Sequence, residues 1–508
     1  MFEIRFYLAV IILMLGLTLP ADELNNKQSV TAIIEMKNPL DLTRVDKKFD
    51  SPQDKQQYFA SLLESHTKQS IEKYFPYLKT EKGVDEVTPL WLIHSIRVRA
   101  SADVIKKMTA QDFVGVEKFE IETQKEVSEL LDDVGNATSR YKLDAPAEIA
   151  WGVEKLGAPE LWKMGYRGKG ILTAVIDSGV NTQHPDLAPN LWKNPGETGL
   201  DSNGHDKSTN YIDDDNNGYV DDVNGFNFEQ HTPDVADDHG HGSQAAGIVG
   251  GMGTGGKQTG VAPDTTLMIL KACCRLGGTT GESTIWEAMQ YAAKNGARVI
   301  SMSLSIKNGS TPAHSKWRKA SESILAMGVI HINSAGNRGG NNIPNNVGAP
   351  PSNPPAWFHP KQTPRGDSKT SSMISIGATD EEDGIRDYSS RGPVTWERIE
   401  EYKDFPYVEG KKPGLIRPDV CGPSEVPSTE LNGSGYTTSF GGTSSATPHI
   451  GGVAAVLLSA YPKTTVEQMT EALQMSALAV KSEFNNDCGA GRVDMVAAFK
   501  YLKEKFNR

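Results

Sequence analysis

Short, uniformly apolar runs rich in β-branched residues alternate with amphipathic stretches over the last two thirds of the chain. Gly170–Ile176, Thr266–Lys271, Ala297–Ser303, Val329–Asn333 and Met373–Gly377 read as strands. Runs that are apolar throughout, with no alternation, belong to strands covered on both faces. Thr284-Ile285-Trp286-Glu287 has the form of a capping box, which predicts a helix from there to about Asn295. From Ile149 onward the alternation predicts an α/β fold: a mainly parallel sheet with helices on both faces.

The amino-terminal part has a different rhythm. Over residues 26–123 the pattern predicts strands at Ser29–Met36 and Leu90–Val98, and a helix over Gln56–Tyr77 with Tyr58, Leu62, Leu63, Ile71 and Phe75 as its apolar positions. A short helix at Ala102–Met108 and a strand at Val114–Ile121 complete a small α+β unit. Glu122–Glu148 is polar and charged and reads as a linker, and Gly339–Lys369, rich in Gly, Asn and Pro, reads as a surface excursion. Phe6–Leu19 is nearly all apolar, with Arg5 before it and Pro20-Ala21-Asp22 after it. That length falls short of a comfortable membrane span and predicts a secretory signal over residues 1–21, a retained anchor being the alternative. No second apolar run is long enough to span a bilayer, so no stable membrane association is expected after removal of the signal.

Composition changes this picture little. A net charge of −12 in 508 residues argues against nucleic-acid binding by bulk electrostatics. The four cysteines fit an oxidising compartment. Cys273 and Cys274 are adjacent and are not expected to bridge each other; the pairing with Cys421 and Cys488 stays open.

Four polar residues sit where chemistry could use them. Ser444 lies between Gly442-Thr443 and a run of small and apolar residues, 445–458, that predicts a tightly packed helix. A hydroxyl at such a helix start stands beside free N–H groups and the positive end of the dipole. Serine is a poor nucleophile unaided and needs a base. His241, flanked by Gly240 and Gly242 and followed by small residues, fits a base at the start of a second helix. Asp177 ends the Gly170–Ile176 strand, where open α/β sheets hold their ligands, and can orient an imidazole. Asn337 leaves the Val329–Asn333 strand in a glycine turn and can donate to a developing oxyanion.

The order Asp, His, Ser, with His184-Pro185-Asp186-Leu187, Gly260-Val261-Ala262-Pro263, Ser389-Ser390-Arg391-Gly392-Pro393 and Gly489-Ala490-Gly491-Arg492, resembles the subtilisin-like serine proteases from about Trp151 to the carboxyl end. The resemblance implies Asp177, His241 and Ser444 as a catalytic triad and Asn337 in the oxyanion hole. It implies Ser303, Leu304 and Ser305 as the segment that pairs with the substrate backbone. Ser305 stands where the family usually has glycine, Gln244 where it has a second histidine, and Ser445 where it commonly has methionine. It further implies an inhibitory propeptide over 22–123, a processing linker over 124–148 and a catalytic domain over 149–508. A permanent structural domain is the alternative for the amino-terminal unit. Protein or peptide substrates, a secreted location and the chain's own propeptide as inhibitor follow from the same likeness. An inactive binding module, a serine-carboxyl peptidase and a general serine esterase are the competing readings. Against them stand, in turn, the complete set of polar residues, His241, and the lack of a Gly-x-Ser-x-Gly elbow.

Asp213, Asp215 and Asn217, with Gly218, the carbonyl of Tyr219 and Asp221, follow the first part of a calcium loop. Asn224 occupies the twelfth position, so a full EF-hand is not formed. No lysine or arginine falls between Asp213 and Asp238, and carboxylates so dense repel one another unless solvated or bound to a cation. The expectation is structural calcium and no organic cofactor. The family likeness adds Asp186 as a second calcium candidate; a solvated acidic loop is the alternative.

Overall fold

The computed structural model describes residues 29–42, 45, 47–72, 74–109, 115–127, 138–139, 147–274, 278–339, 346–353, 373–394, 415–481 and 485–506. The predicted signal at 1–21, most of the linker and most of the 339–369 excursion lie outside the described residues.

The uniformly apolar runs form one sheet. Strands β8 (Leu172–Asp177), β9 (Gly225–Asn227), β11 (Thr266–Lys271), β13 (Val299–Met302), β14 (Ile330–Ser334), β15 (Ile374–Thr379) and β16 (Val420–Pro423) lie in the order β16-β15-β14-β13-β8-β11-β9. Every pairing among them is parallel. From β8 the chain passes to the edge strand β9, returns as β11 beside β8, then crosses to β13 on the other side. The carboxyl ends of β8 and β13 therefore flank the point where strand order reverses, the usual ligand crevice of such sheets. On the faces lie α4 (His241–Gly250), α5 (Glu282–Lys294), α6 (His314–Met327), α7 (Gly442–Ala460), α8 (Val466–Met475) and α9 (Met495–Phe506). Helix α7 is buried along nearly its whole length, as its run of small and apolar residues requires. Short pairs surround this sheet: β7 (Glu148–Ile149) with β10 (Lys257–Gln258), and β6 (Thr138–Ser139) with β18 (Tyr436–Phe440), which also pairs β17 (Val426–Thr429).

The amino-terminal unit is a separate antiparallel sheet, order β2-β3-β1-β4, made of β1 (Ser29–Met36), β2 (Val84–Leu90), β3 (Ser95–Ser101) and β4 (Val116–Ile121). Its helices are α1 (Pro52–Ile71), α2 (Phe75–Thr80) and α3 (Ala102–Thr109). It packs on α5 and α6: Ile33, Phe59, Leu63 and Trp91–Ile93 share one apolar cluster with Trp286 and Trp317. The contact also carries a buried ion pair, Arg97 to Glu287 at 2.8 Å, and the Gln56 amide donates to the carbonyls of Ala293 and Ala297.

Four local expectations change. The helix over Gln56–Tyr77 is two helices, because Pro76 falls in the first turn of α2, where its missing N–H costs nothing, and cannot continue α1. The apolar run Leu90–Val98 is not one strand: Trp91–Ile93 coil into a 3₁₀ turn that inserts into the shared cluster, and His94 reverses the chain at φ 54°. Helix α5 starts at Glu282 with Gly281 as N-cap, two residues before the predicted capping box; Glu122, at the end of the amino-terminal unit, caps it through the N–H and hydroxyl of Ser283. Cys273 and Cys274 are bonded to each other, and Cys421 is bonded to Cys488. The adjacent pair forms where the chain leaves β11, with Cys274 in the left-handed region at φ 88°.

Candidate active site and acidic cluster

Asp177 ends β8, and its carboxylate Oδ1 accepts two hydrogen bonds: one from the N–H of Ser178 at 2.7 Å and one from Nδ1 of His241 at 2.7 Å. Both side chains are buried, at 1% and 4% exposure, so water screens the contact little. The approach depends on glycine. A Cβ on Gly242 would sit 2.2 Å from the carbonyl oxygen of Gly179, so only glycine lets the start of α4 lie against the turn after β8. The hydroxyl of Ser178 accepts from the N–H of Gly242, tying the two segments together.

Ser444 is the third residue of α7 and follows β13 closely in space: its Oγ donates to the carbonyl of Ser303 at 3.4 Å, and the Ser303 hydroxyl donates to the carbonyl of Ser444 at 2.9 Å. Asn337 lies beside the same turn. Its side-chain oxygen accepts from the N–H of Thr443 at 2.8 Å and from the Thr443 hydroxyl at 3.0 Å. With the oxygen so held, the amide nitrogen faces Gly442, where a Cβ would lie 2.7 Å from it; Gly442 has φ 78° and tolerates no side chain on either ground. Asp177, His241, Ser444 and Asn337 thus stand at the carboxyl ends of β8, β13 and β14 and at the amino ends of α4 and α7. Thr443 orients Asn337; the sequence shows it only as part of the turn before the serine, with no sign of that role.

An extended segment already lies along this crevice. β5 (Lys125–Glu126) pairs antiparallel with β12 (Thr279–Thr280), and Val127 bridges antiparallel to Ile306. The N–H of Val127 donates to the carbonyl of Gly278, and the N–H of Lys307 donates to the carbonyl of Glu126. Val127 is 4% exposed and clusters with Cys273, Cys274, Ile285, Leu304 and Ile306. Ser303, Leu304 and Ser305 continue, towards Ser444, the edge that Ile306 and Lys307 pair from. The opposite edge, Gly278–Thr280, had no clear sign in the sequence, since a two-residue strand has no period to read.

The predicted cation ligands are divided. The carboxylates that converge are Glu197, Asp215 and Asp222, with one oxygen of each within 4.8 Å of the others. Of the predicted set only Asp215 belongs to them. Asp213 turns its oxygens to the N–H groups of Asn217 and Gly218, and Asp221 to that of Tyr211, so both close the loop on itself. Asn217 is adjacent: its amide bridges Asp215 and Asp222. The hydroxyl of Tyr219 donates to Glu287 at 3.0 Å. Asp186 lies apart, its carboxylate taken up by the Thr254 hydroxyl, the Gly255 N–H and the Tyr436 hydroxyl. Burial, together with the neighbouring carboxylates, pushes Glu197 up to about 7 and Asp222 up to about 6. Glu197 Oε2 is buried with no hydrogen-bond partner among the described residues. Asn194-Pro195-Gly196-Glu197 was the missed signal, a tight turn that delivers a carboxylate to the acidic loop.

A sequence model of the subtilase family matches residues 168–491. The chain is 27% identical over 451 residues to subtilisin-like protease 1 of Plasmodium berghei (strain Anka), covering 85% of this chain and 68% of that protein. It is 27% identical over 422 residues to bacillopeptidase F of Bacillus subtilis (strain 168), covering 81% of this chain and 26% of the relative. It is 26% identical over 350 residues to subtilisin DY of Bacillus licheniformis, covering 69% and 98%.

Proposed function

Because this chain belongs to the subtilase family and is a subtilisin-like serine peptidase, we propose that it is a secreted endopeptidase made as a self-processed zymogen, with Asp177, His241 and Ser444 as its catalytic triad. The observation that carries the reading is the buried 2.7 Å contact between Asp177 and His241 at the end of β8, with Ser444, at the start of α7, bonded to Ser303 just after the neighbouring strand β13. Ser444 attacks the scissile carbonyl, and His241 takes its proton and returns it to the leaving amine. Asp177 holds the ring and stabilises the imidazolium. Asn337 and the N–H of Ser444 donate to the oxyanion; in subtilisin the loss of such an asparagine costs roughly 10²–10³-fold, a magnitude taken from that enzyme. Water then hydrolyses the acyl-enzyme. Ser303, Leu304 and Ser305 pair with the substrate backbone.

Residues 22–123 act as the propeptide, 124–148 as the processing linker and 149–508 as the catalytic domain. The strand-like seating of 125–127 against Gly278–Thr280 and Ile306–Lys307 supports this, since it fills the place a substrate would take. The apolar segment Phe6–Leu19 supports secretion. Among the described residues no helix is long and apolar enough to cross a membrane. Reaction with a serine-directed phosphonylating probe is expected to add one equivalent, located by peptide mass spectrometry on Ser444. Labelling at another serine, or none in an enzyme that hydrolyses peptides, would defeat the assignment.

Calcium fits the acidic cluster. All-oxygen donors with carboxylates in excess suit a hard divalent cation, and the unpartnered Glu197 oxygen is the buried group a cation would satisfy. Glu197, Asp215 and Asp222 would hold it, and its contribution would be to fix the 194–222 loop. At about 100 times its dissociation constant the ion adds about 2.7 kcal/mol. Excess chelator is therefore expected to lower the melting temperature of the wild type, while Glu197→Gln, already less stable, responds little. An unchanged wild-type melting curve would remove calcium from this description.

A further inference from the structure

The loop after β15 grips the turn that carries Asn337 from both sides. The N–H of Ser390 donates to the carbonyl of Gly336 at 2.8 Å, the N–H of Gly339 to the carbonyl of Tyr388 at 2.6 Å, and the N–H of Arg338 to the hydroxyl of Ser390 at 3.1 Å. Tyr388 reaches the second turn, the one before Ser444, through its side chain. Its hydroxyl lies 2.8 Å from Oγ of Ser424, and that oxygen lies 2.8 Å from the carbonyl of Gly442. A serine hydroxyl has one proton, and a carbonyl can only accept. Ser424 therefore gives its proton to Gly442, and Tyr388 is the donor to Ser424.

The Gly442 carbonyl belongs to the same planar peptide unit as the N–H of Thr443. That N–H donates to Oδ1 of Asn337 at 2.8 Å, which leaves the Asn337 amide nitrogen on the side of Gly442. A continuous line of donors and acceptors thus runs from Tyr388 through Ser424 and the Gly442–Thr443 peptide to Asn337. Each bond in such a line polarises the next. We infer that the Tyr388 hydroxyl is a positioning group for the oxyanion hole: through Ser424 and the Gly442–Thr443 peptide it fixes the direction in which Asn337 donates. The inference rests on the Ser444 and Asn337 roles proposed above and adds the residue that aims the donor.

The turn needs such a device. Gly442, at φ 78°, is free to rotate as no other residue is, so the peptide that follows it keeps its tilt only while both of its ends are bonded. The surroundings hold the relay still. Ser424 is fully buried, and its N–H donates to the carbonyl of Thr379, the last residue of β15, at 2.9 Å. The Arg386 guanidinium lies 5.6 Å from the centre of the Tyr388 ring and pairs with Glu425, the residue after Ser424. Burial raises the Tyr388 phenol above the ordinary tyrosine range, so it keeps its proton at neutral and mildly alkaline pH.

The test compares wild type, Tyr388→Phe, Ser424→Ala, Asn337→Ala and the double variant Tyr388→Phe/Asn337→Ala. The measurements are kcat and KM on a chromogenic peptide, inhibition by a peptide aldehyde, whose adduct with Ser444 puts an oxygen in the hole, and the melting temperature. Tyr388→Phe keeps the ring and removes one oxygen. It is expected to lower kcat roughly tenfold and to weaken the aldehyde by the same factor, with KM and the melting temperature nearly unchanged, because the interaction it disturbs forms only in the transition state. The loss is smaller than that of a whole donor, since Asn337 is still present. Ser424→Ala should lower kcat to a similar extent. In the Asn337→Ala background Tyr388→Phe should cost nothing further. An unchanged kcat in Tyr388→Phe, an equal loss with and without Asn337, or a lowered melting temperature with aldehyde inhibition intact would overturn the relay; the peptidase reading would stand as long as the wild type hydrolyses peptides and the phosphonylating probe labels Ser444. A wild type that neither hydrolyses peptides nor is labelled at Ser444 would overturn both.

Discussion

Asp177→Asn is expected to lower kcat for peptide hydrolysis by about 10³-fold, with KM and the fold nearly unchanged. One oxygen, Oδ1, accepts both from the Ser178 N–H and from His241 Nδ1. The other, Oδ2, is buried with no hydrogen-bond partner among the described residues. An asparagine can therefore place its carbonyl oxygen where Oδ1 was and its amide where Oδ2 was, so the imidazole keeps its tautomer and orientation. What disappears is the negative charge. A unit charge about 4 Å from the imidazolium, at an effective dielectric of about 20, is worth about 4 kcal/mol, and that converts to roughly 10³ in rate. The measurement is kcat and KM on a chromogenic peptide, with the circular-dichroism melting curve as the check on folding. A loss below tenfold would mean that the carboxylate does not support the base. Because the groups act as a unit, adding Asp177→Asn to Ser444→Ala is expected to cost nothing beyond the single serine replacement. Additive losses would show that the two serve different steps.

The parallel sheet could be read from the sequence because strands buried on both faces carry a uniform apolar signature. Thr266–Lys271 was located to the residue, while Ile330–Ser334 and Ile374–Thr379 were found displaced by a residue or two. The local pattern failed where tertiary contact overrode it. Trp91, Leu92 and Ile93 look like strand residues, yet they are apolar because they plug into the Trp286–Trp317 cluster. Glu287 looks like the last residue of a capping box, but it is buried to meet Arg97 from another unit. The polar residues around Ser444 were legible because each sits in its own glycine-marked turn, and those glycines have steric reasons at Gly242 and Gly442. The acidic cluster was legible only in part. A linear spacing rule chose Asp213 and Asp221, whereas in space Glu197 comes in from a turn sixteen residues before Asp213. The family resemblance implied that the tail of the amino-terminal unit lies in the cleft, but nothing in a three-residue stretch states that 125–127 would be the part that pairs, or which edge it would join.

Two fully buried histidines outside the active site are expected to work against the folded state in acid. His331, on β14, and His449, on α7, are both fully buried. Burial, only partly offset by the Asn333 side chain in one case and the Ser445 carbonyl in the other, lowers each to about 4. His449 Nδ1 donates to the Ser445 carbonyl at 2.8 Å, and its other nitrogen faces Gly152, where a Cβ would lie only 2.5 Å away. A proton there would have no solvent to share its charge. An unfolded histidine titrates near 6.5, so between that value and about 4 the unfolded chain binds the extra protons and the folded one does not. Stability from these two groups is therefore complete above pH ~6.5 and declines as the pH falls towards 4. Each contributes a slope of about 1.4 kcal/mol per pH unit, and roughly 3 kcal/mol over the window. His94, which burial lowers to about 4, adds to the same effect, whereas Glu282 and Glu197, raised by burial to about 7, and Asp222, raised to about 6, work the other way and favour the folded state as the pH falls through the same range. The net slope of the wild type mixes these terms, and the decisive quantity is the difference between variants. Denaturant melts from pH 7 to pH 4 are expected to give a slope smaller by about 1.4 kcal/mol per pH unit for His331→Gln and for His449→Gln, and by twice that for the pair, whatever each change costs at neutral pH. Variants whose curves run parallel to that of the wild type would show that these rings take up protons in the folded protein, and the two histidines would drop out of the account of acid sensitivity.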